Sequence, residues 1–534
     1  MLGNVYGKKR KMERDNLTAK QLGPDGKSKI AVFLPALSGF YATYVGKQRH
    51  DPNYVDPARI PADFETGIEG LNWLNAEEAY FPYKWALYSA GHAELDVNKH
   101  SPKEDMVRNR DRNNTFVLGD SGGFQIGKGV WEGDWKDPNC PKAKKKRELV
   151  LSWMDAYMDR GMILDIPAWV ARSPAGAKAT GINDYAAAVK ATEINNDYFM
   201  QARNGNCKFL NVLQGETHKD ADDWYHRMKH YCDPKQHDQP FEGWAMGGQN
   251  MCDSHLILRR LVDMRFDGLL EKGQHDWMHF LGTSKLEWAL LLTDIQRAVR
   301  KYHNENFTVS FDCASPFLAT ANGQIYTNNE FADREKWVYR MQPSVDNKKY
   351  ATDTRRFADA VIQDGIFPIF EDSPVSERTL VKDICIYKPG DLNKIGKEGK
   401  TSWDSFSYAI QMGHNVHRHI TAVQEANRQY DSGICPNMLV EEDIDRVYFK
   451  QVADAVFAAN DRGTAEAIVE EHRRYLDSKI IGTRGATGKR LLSGKAMFEN
   501  LFVEEVPEPE VEEHHIDDSG FDESTLDQLE SEQE

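Results

Sequence analysis

Between residues 29 and 311 short apolar runs recur eight times, at 29–34, 85–89, 115–118, 162–164, 209–213, 243–246, 278–281 and 308–311. Each suits one strand and is too short for a helix. Most are separated by stretches with apolar residues at helical spacing, such as 149–159, 186–202, 255–266 and 286–302. Strands alternating with helices form a parallel sheet. Eight of them, with no G-x-G-x-x-G after the first, favour an α/β fold of the (β/α)8 TIM-barrel type over a dinucleotide-binding fold. The segment 38–83 is too long for a plain connection between the first two strands. It is rich in aromatics (Phe40, Tyr41, Tyr44, Tyr54, Trp73, Phe81, Tyr83) and reads either as a lid or substrate arm or as an insertion with its own small core.

Polar residues fall where a barrel enzyme would put them. Asp120, Asp165, Gln214, the pair Gly247-Gly248, Gly282 and Asp312 each lie at or just past the end of a different expected strand. In a barrel those ends converge on the face that carries catalysis. A single Asp there is an ordinary helix cap; three Asp and a Gln at four strand ends are harder to explain by capping alone. The run Asp120-Ser121-Gly122-Gly123-Phe124-Gln125 combines a carboxylate, a tight glycine floor, an aromatic face and an amide. Such a set suits a planar, hydrogen-bonding ring such as a nucleobase.

Fourteen of the 83 acidic residues lie in 503–534, which has no Lys or Arg, and the other 69 nearly balance the 67 basic ones. The body is therefore close to neutral, and a polyanion would be held by local clusters rather than by net charge. Three clusters stand out: Arg108, Arg110 and Arg112; Lys144, Lys145, Lys146 and Arg147; and Arg484, Lys489 and Arg490. The last lies in a glycine-rich stretch that fails the P-loop spacing. The chain divides into a basic leader expected to be mobile (1–28), a barrel with its insertion (29–345), an α-rich extension (346–502) and an acidic tail expected to be disordered (503–534). No apolar run reaches the roughly 18 residues of a membrane span. Seven cysteines, none in C-x-x-C spacing, suit reduced thiols in a cytoplasm.

Seven segments in order, LGDSGGFQ (118–125), ILDIPAW (163–169), NVLQGE (211–216), GWAMGGQN (243–250), HFLGTSK (279–285), VSFDCASP (309–316) and GQIYT (323–327), resemble the tRNA-guanine transglycosylase superfamily of base-exchange enzymes. The resemblance implies Asp312 as nucleophile on the anomeric carbon, giving a covalent glycosyl-enzyme, and Asp120 as general acid and base. It implies that Asp165 accepts from N1–H and the exocyclic amine of a guanine-like ring. Gln214 and the Gly248 N–H would donate to O6, with Gly247 and Ser121 shaping the pocket and Phe124 and Leu281 on the two faces.

Two departures bear on the substrate. The family's C-x-C-x-x-C and His zinc site is reduced to Cys385 and His414, with Asp383 and Cys435 as further donors. One Cys and one His are too few for four-coordinate zinc, so no metal or cofactor is expected. The family's arginine-bearing motif after the nucleophile is here 316–323, without arginine. Both departures point to the phage-type branch, which exchanges guanine in DNA for a 7-deazaguanine and so hides the genome from restriction enzymes. The expected partners are DNA, with its guanine flipped out or single-stranded, and the free 7-deazaguanine. The alternatives are a tRNA-specific enzyme, a glycoside hydrolase using Asp120 and Asp312, and a non-catalytic partner subunit.

Overall fold

The computed structural model describes residues 12–47, 54–99, 103–361, 370–386, 402–441 and 446–478. Eight strands form one sheet: β1 (Val32–Pro35), β2 (Trp85–Ser89), β3 (Phe116–Asp120), β4 (Arg160–Met162), β5 (Lys208–Leu213), β6 (Trp244–Met246), β7 (Trp277–Phe280) and β8 (Thr308–Cys313). Every ladder is parallel, and β8 pairs with β1, Leu34 opposite Asp312. A parallel bridge between Ala36 and Leu87 joins β1 to β2 and closes the ring. The result is the (β/α)8 barrel that the alternation of runs implies.

Helices return between the strands, and local chemistry sets their ends. Helix Tyr185–Ala202 is capped by the Asp184 carboxylate on Ala187 N, His218–Met228 by Thr217 on Asp220 N, and Ser254–Phe266 by Asp253 on Leu256 N. Helix Leu286–Tyr302 is buried almost all round, Leu286, Leu290, Ile295 and Val299 included, and packs on β8. The expected run at 162–164 overshoots β4, whose ladder covers only 160–162. Its apolar residues continue, buried, past the pairing, so Asp165 stands beyond the strand rather than at its last rung.

Two segments differ from expectation or settle an open choice. The leader expected over 1–28 is packed from about residue 14: Asp15 N bonds to Tyr80 O (2.9 Å), and Leu17, on helix Leu17–Gln21, is fully buried. The described parts of segment 38–83 (38–47 and 54–83) pack as an insertion. Tyr41 rests on Trp73 and Phe317, and Phe64 on Phe406. Arg59 makes a buried ion pair with Asp404 (2.5 Å) and also donates to Ser407 Oγ (2.8 Å). Those partners belong to or cap the 27-residue helix Ser405–Asp431, the centre of the C-terminal extension. The same helix packs on helix Ser315–Ala321 and on the first strand of a hairpin, β9 (Gln324–Glu330) and β10 (Val338–Pro343). The acidic tail and the Arg484, Lys489 and Arg490 cluster lie outside the described residues.

The barrel interior is graded in polarity. Residues two apart on a strand share a face, so Phe116, Leu118 and Asp120 point one way, as do Trp277 and His279, and Ser310 and Asp312. At the entry end of the strands Phe116 stacks on Trp277 across the ring (centroids 4.2 Å apart), with the Arg160 guanidinium over the indole (5.5 Å). At the exit end stand the carboxylates. Among the described residues no helix is long and apolar enough to cross a membrane.

Candidate active site

Asp120 is the last residue of β3, and Ser89, the last of β2, lies opposite it in the ladder. Ser89 Oγ donates to Asp120 Oδ2 (2.6 Å) and accepts from Gly91 N (3.1 Å), which fixes the direction of its proton. The chain then turns through Gly122, whose φ of +83° belongs to the left-handed region. A Cβ there would meet the Trp131 ring at 2.4 Å, and one on Gly123 would lie 3.1 Å from Asp165 Oδ1. The two glycines thus bring the backbone after Asp120 against the Asp165 carboxylate. Ser121 is buried beneath the turn, and Phe124, half-buried, leans on Trp169 (6.2 Å).

Asp165 is buried and accepts from Gln214 Nε2 (2.8 Å). Burial pushes its carboxyl up to about 7, Gln214 opposes the shift, and the neighbouring Asp120 charge adds to it. An amide nitrogen carries two hydrogens; Gln214 gives one to Asp165, and the other remains for a ligand oxygen. Gly247 and Gly248 pass directly over this pair. A Cβ on Gly247 would approach Gln214 Nε2 to 2.9 Å, and one on Gly248 (φ +55°) would lie 2.3 Å from Gly215 O. Asn250 Nδ2 ties the turn down by donating to Gln214 O (3.0 Å). Leu281 N donates to Met246 O (3.2 Å), which sets the half-buried Leu281 beside the same turn.

Asp312 ends the inward face of β8. Its Oδ1 accepts from Gly282 N (2.9 Å) and contacts His279 Nε2 (3.1 Å). The other His279 nitrogen, Nδ1, lies 2.9 Å from Ser310 Oγ, which accepts from Trp277 Nε1 at 2.8 Å. Glu216, two residues past Gln214, is buried and ion-paired with Arg172 (2.6 Å); burial pushes its carboxyl up to about 7 against that pairing. Ser89, His279 and Glu216 were missed as site residues. His279 sits inside a run assigned to a strand and Ser89 ends one, where one polar residue among apolar ones was the available signal; Glu216 closes the NVLQGE segment, where it had no role.

The basic residues divide by position. Arg108, Arg110 and Arg112 precede β3, at the end of the barrel away from the carboxylates. Arg108 pairs with Glu104 (2.8 Å) and Arg110 with Asp159 (2.6 Å), both with buried guanidiniums, and Arg112 donates to Ala156 O and Met158 O. These three clamp helix Pro141–Tyr157 and do not join the other site residues. That helix runs antiparallel to the strands, so its first turns lie at the carboxylate end. Lys144 and Lys145 are exposed there. Lys146 sits over the Trp131 ring (4.5 Å), the ring that abuts Gly122, while Arg147 is buried against Asn139 and Asn195.

For metal, His414 is buried with Nδ1 at Ser373 Oγ (2.8 Å) and Nε2 at Tyr326 O (2.8 Å), and the Cys385 thiol faces Val345 O (3.4 Å). Burial holds the His414 ring down near 3. Both are engaged within the core, and they do not meet. Among the described residues the one set with three donors near a common point is His218, Asp253 and His255, within 4.8 Å of one another. There Asp253 also caps its helix and holds Gln249 (3.1 Å). A cavity of about 1290 Å³ lies elsewhere, bordered by Lys29 and Ile30 before β1 and lined by ion pairs such as Lys20–Asp15 and Arg297–Asp431. Neither family models nor curated protein sequences match this chain.

Proposed function

We propose that the protein exchanges guanine in DNA for a free 7-deazaguanine through a covalent aspartyl-glycosyl intermediate, a modification that would shield phage DNA from restriction. The observation that carries the reading is the Asp165–Gln214 pair under the Gly247-Gly248 turn. A buried carboxylate, with an amide N–H beside it, matches a purine edge whose N1–H and amine adjoin a carbonyl. Asp120 and Asp312 stand at the same end of the barrel on different strands, each oriented by a hydrogen bond of its own. In this reaction Asp312 attacks C1′ as the C1′–N9 bond breaks, and the electron pair leaves with guanine. Asp120 supplies the proton to the departing base and removes one from the incoming base. The raised Asp165 suits a group that ionises only when a donor-rich ring is present. Lys144, Lys145 and Lys146 give the strand-end face a basic ridge for phosphates.

The test offers the purified protein radiolabelled guanine with duplex DNA, single-stranded DNA and unmodified tRNA, using Asp312→Asn as blank. Label entering DNA alone supports the proposal. Label entering tRNA alone moves the substrate to tRNA, and label in no polymer removes guanine exchange.

A further inference from the structure

We infer that His279 is the positioning residue for the nucleophile, held in its Nε2–H tautomer, and that Oδ2 of Asp312 is the attacking atom. The part concerning attack rests on the base-exchange reaction proposed above; the tautomer rests on geometry alone.

His279 is fully buried on the inward face of β7. The indole N–H of Trp277 is a donor only, so Ser310 Oγ must receive it, at 2.8 Å. The Ser310 hydrogen can then point at a second neighbour, and His279 Nδ1, 2.9 Å away, is the acceptor in line. A neutral ring that accepts at Nδ1 carries its hydrogen on Nε2, which faces Asp312 Oδ1 at 3.1 Å. A carboxylate requires a donor there, so each bond in the chain Trp277, Ser310, His279, Asp312 supports the next. The Gly282 N–H arrives at the same oxygen, 2.9 Å away. Two donors on Oδ1 fix the carboxylate plane and leave Oδ2 to meet C1′.

The arrangement has different effects on the two half-reactions. In the first, the Oδ2–C1′ bond forms as C1′–N9 breaks, and guanine departs with the electron pair and takes up a proton. In the second, N9 of the incoming base, giving up its proton, bonds to C1′, and the Oδ2–C1′ electron pair returns to Asp312. Oδ1 is a carboxylate oxygen before and after, and an ester carbonyl between. Charge-assisted hydrogen bonds are the stronger ones, so the donors on Oδ1 favour release of the intermediate.

The experiment compares His279→Leu, which removes the donor, with His279→Gln, which keeps an N–H at similar reach. The readouts are base exchange into DNA, protein–DNA adduct on denaturing gels, and the His279 tautomer by ¹⁵N NMR of histidine-labelled protein. We expect His279→Leu to lower kcat about 10- to 100-fold, with KM for the free base nearly unchanged and a larger adduct fraction, and His279→Gln to recover most of the rate. In the wild type the proton should sit on Nε2, and Ser310→Ala, a milder change, should shift it toward Nδ1. A wild-type proton on Nδ1 overturns the inference, as does wild-type exchange by His279→Leu. If the wild type transfers no base to any polymer, the base-exchange reading fails, and the tautomer spectrum still decides the role of His279.

Discussion

A carboxylate buried without a cation beside it, as Asp165 is, resists ionisation, and its value near 7 ties recognition to pH. The unfolded chain ionises this group near 3.8. It therefore contributes stability that is complete in acid and is lost as pH rises through about 7. The guanine binding proposed above would run the opposite way, because a ring with two donors needs the ionised form. Affinity for guanine, measured calorimetrically across neutrality, should rise with pH to about 7 and then level off, and Asp165→Asn should flatten the profile. Asp312→Asn should abolish exchange while leaving the thermal midpoint close to wild type, since the residue faces the open end of the barrel; exchange at a tenth of the wild-type rate would remove it from the nucleophile role. Asp120, Asp165, Gln214 and Asp312 were legible because each is a polar residue where an apolar run stops. His279 was not, because inside a strand a lone polar residue is explained by its partners, and those come from another strand; Ser89 ends its run, but a neutral hydroxyl gains a role only from Asp120 on the neighbouring strand.

The turn 247–250 shows what one element contributes to the pocket. Gly248 at φ +55° has Gly215 O where a Cβ would stand. Gly248→Ala should displace the turn, at a cost of about 1–3 kcal/mol for the strained backbone, and weaken guanine binding more than it lowers the thermal midpoint. Equal loss of both would make the turn a general support rather than a base contact. All eight barrel strands and the helices over 186–202, 255–266 and 286–302 were readable from periodicity, which depends on neighbours in sequence; the helix expected over 149–159 runs Pro141–Tyr157, its polar first turns giving no apolar signal. The end of β4 was not, since pairing with β3 and β5 decides where a ladder stops. The insertion was ambiguous for a similar reason. Its aromatics look alike whether they close over a ligand or pack on a helix more than 300 residues later, as Arg59 does on Asp404.

That long-range pair also bears on the molecule as a whole, because it joins the insertion to the C-terminal extension. Breaking it on one side, as in Asp404→Leu, should cost about 3–5 kcal/mol by leaving a buried guanidinium unpaired. The double variant Arg59→Leu/Asp404→Leu should recover part of the loss in thermal unfolding, and simple additivity would show that the pair is not coupled. The basic clusters were the least legible feature, since a run of Arg looks the same whether it clamps a helix or faces solvent; only the direction of the adjoining strand separates Arg110 from Lys145. Removing Lys144 or Lys145 should weaken polynucleotide binding evenly across sequences and flatten the salt dependence by about one unit of slope each. The Phe116–Trp277 stack joins β3 to β7 at the entry end of the barrel, opposite the carboxylates. In the base exchange proposed above, a pocket that opens only on the carboxylate face would hold one base at a time. The first must clear the opening before the second is admitted, and initial-rate plots against the two substrates should give the parallel lines of a double-displacement reaction.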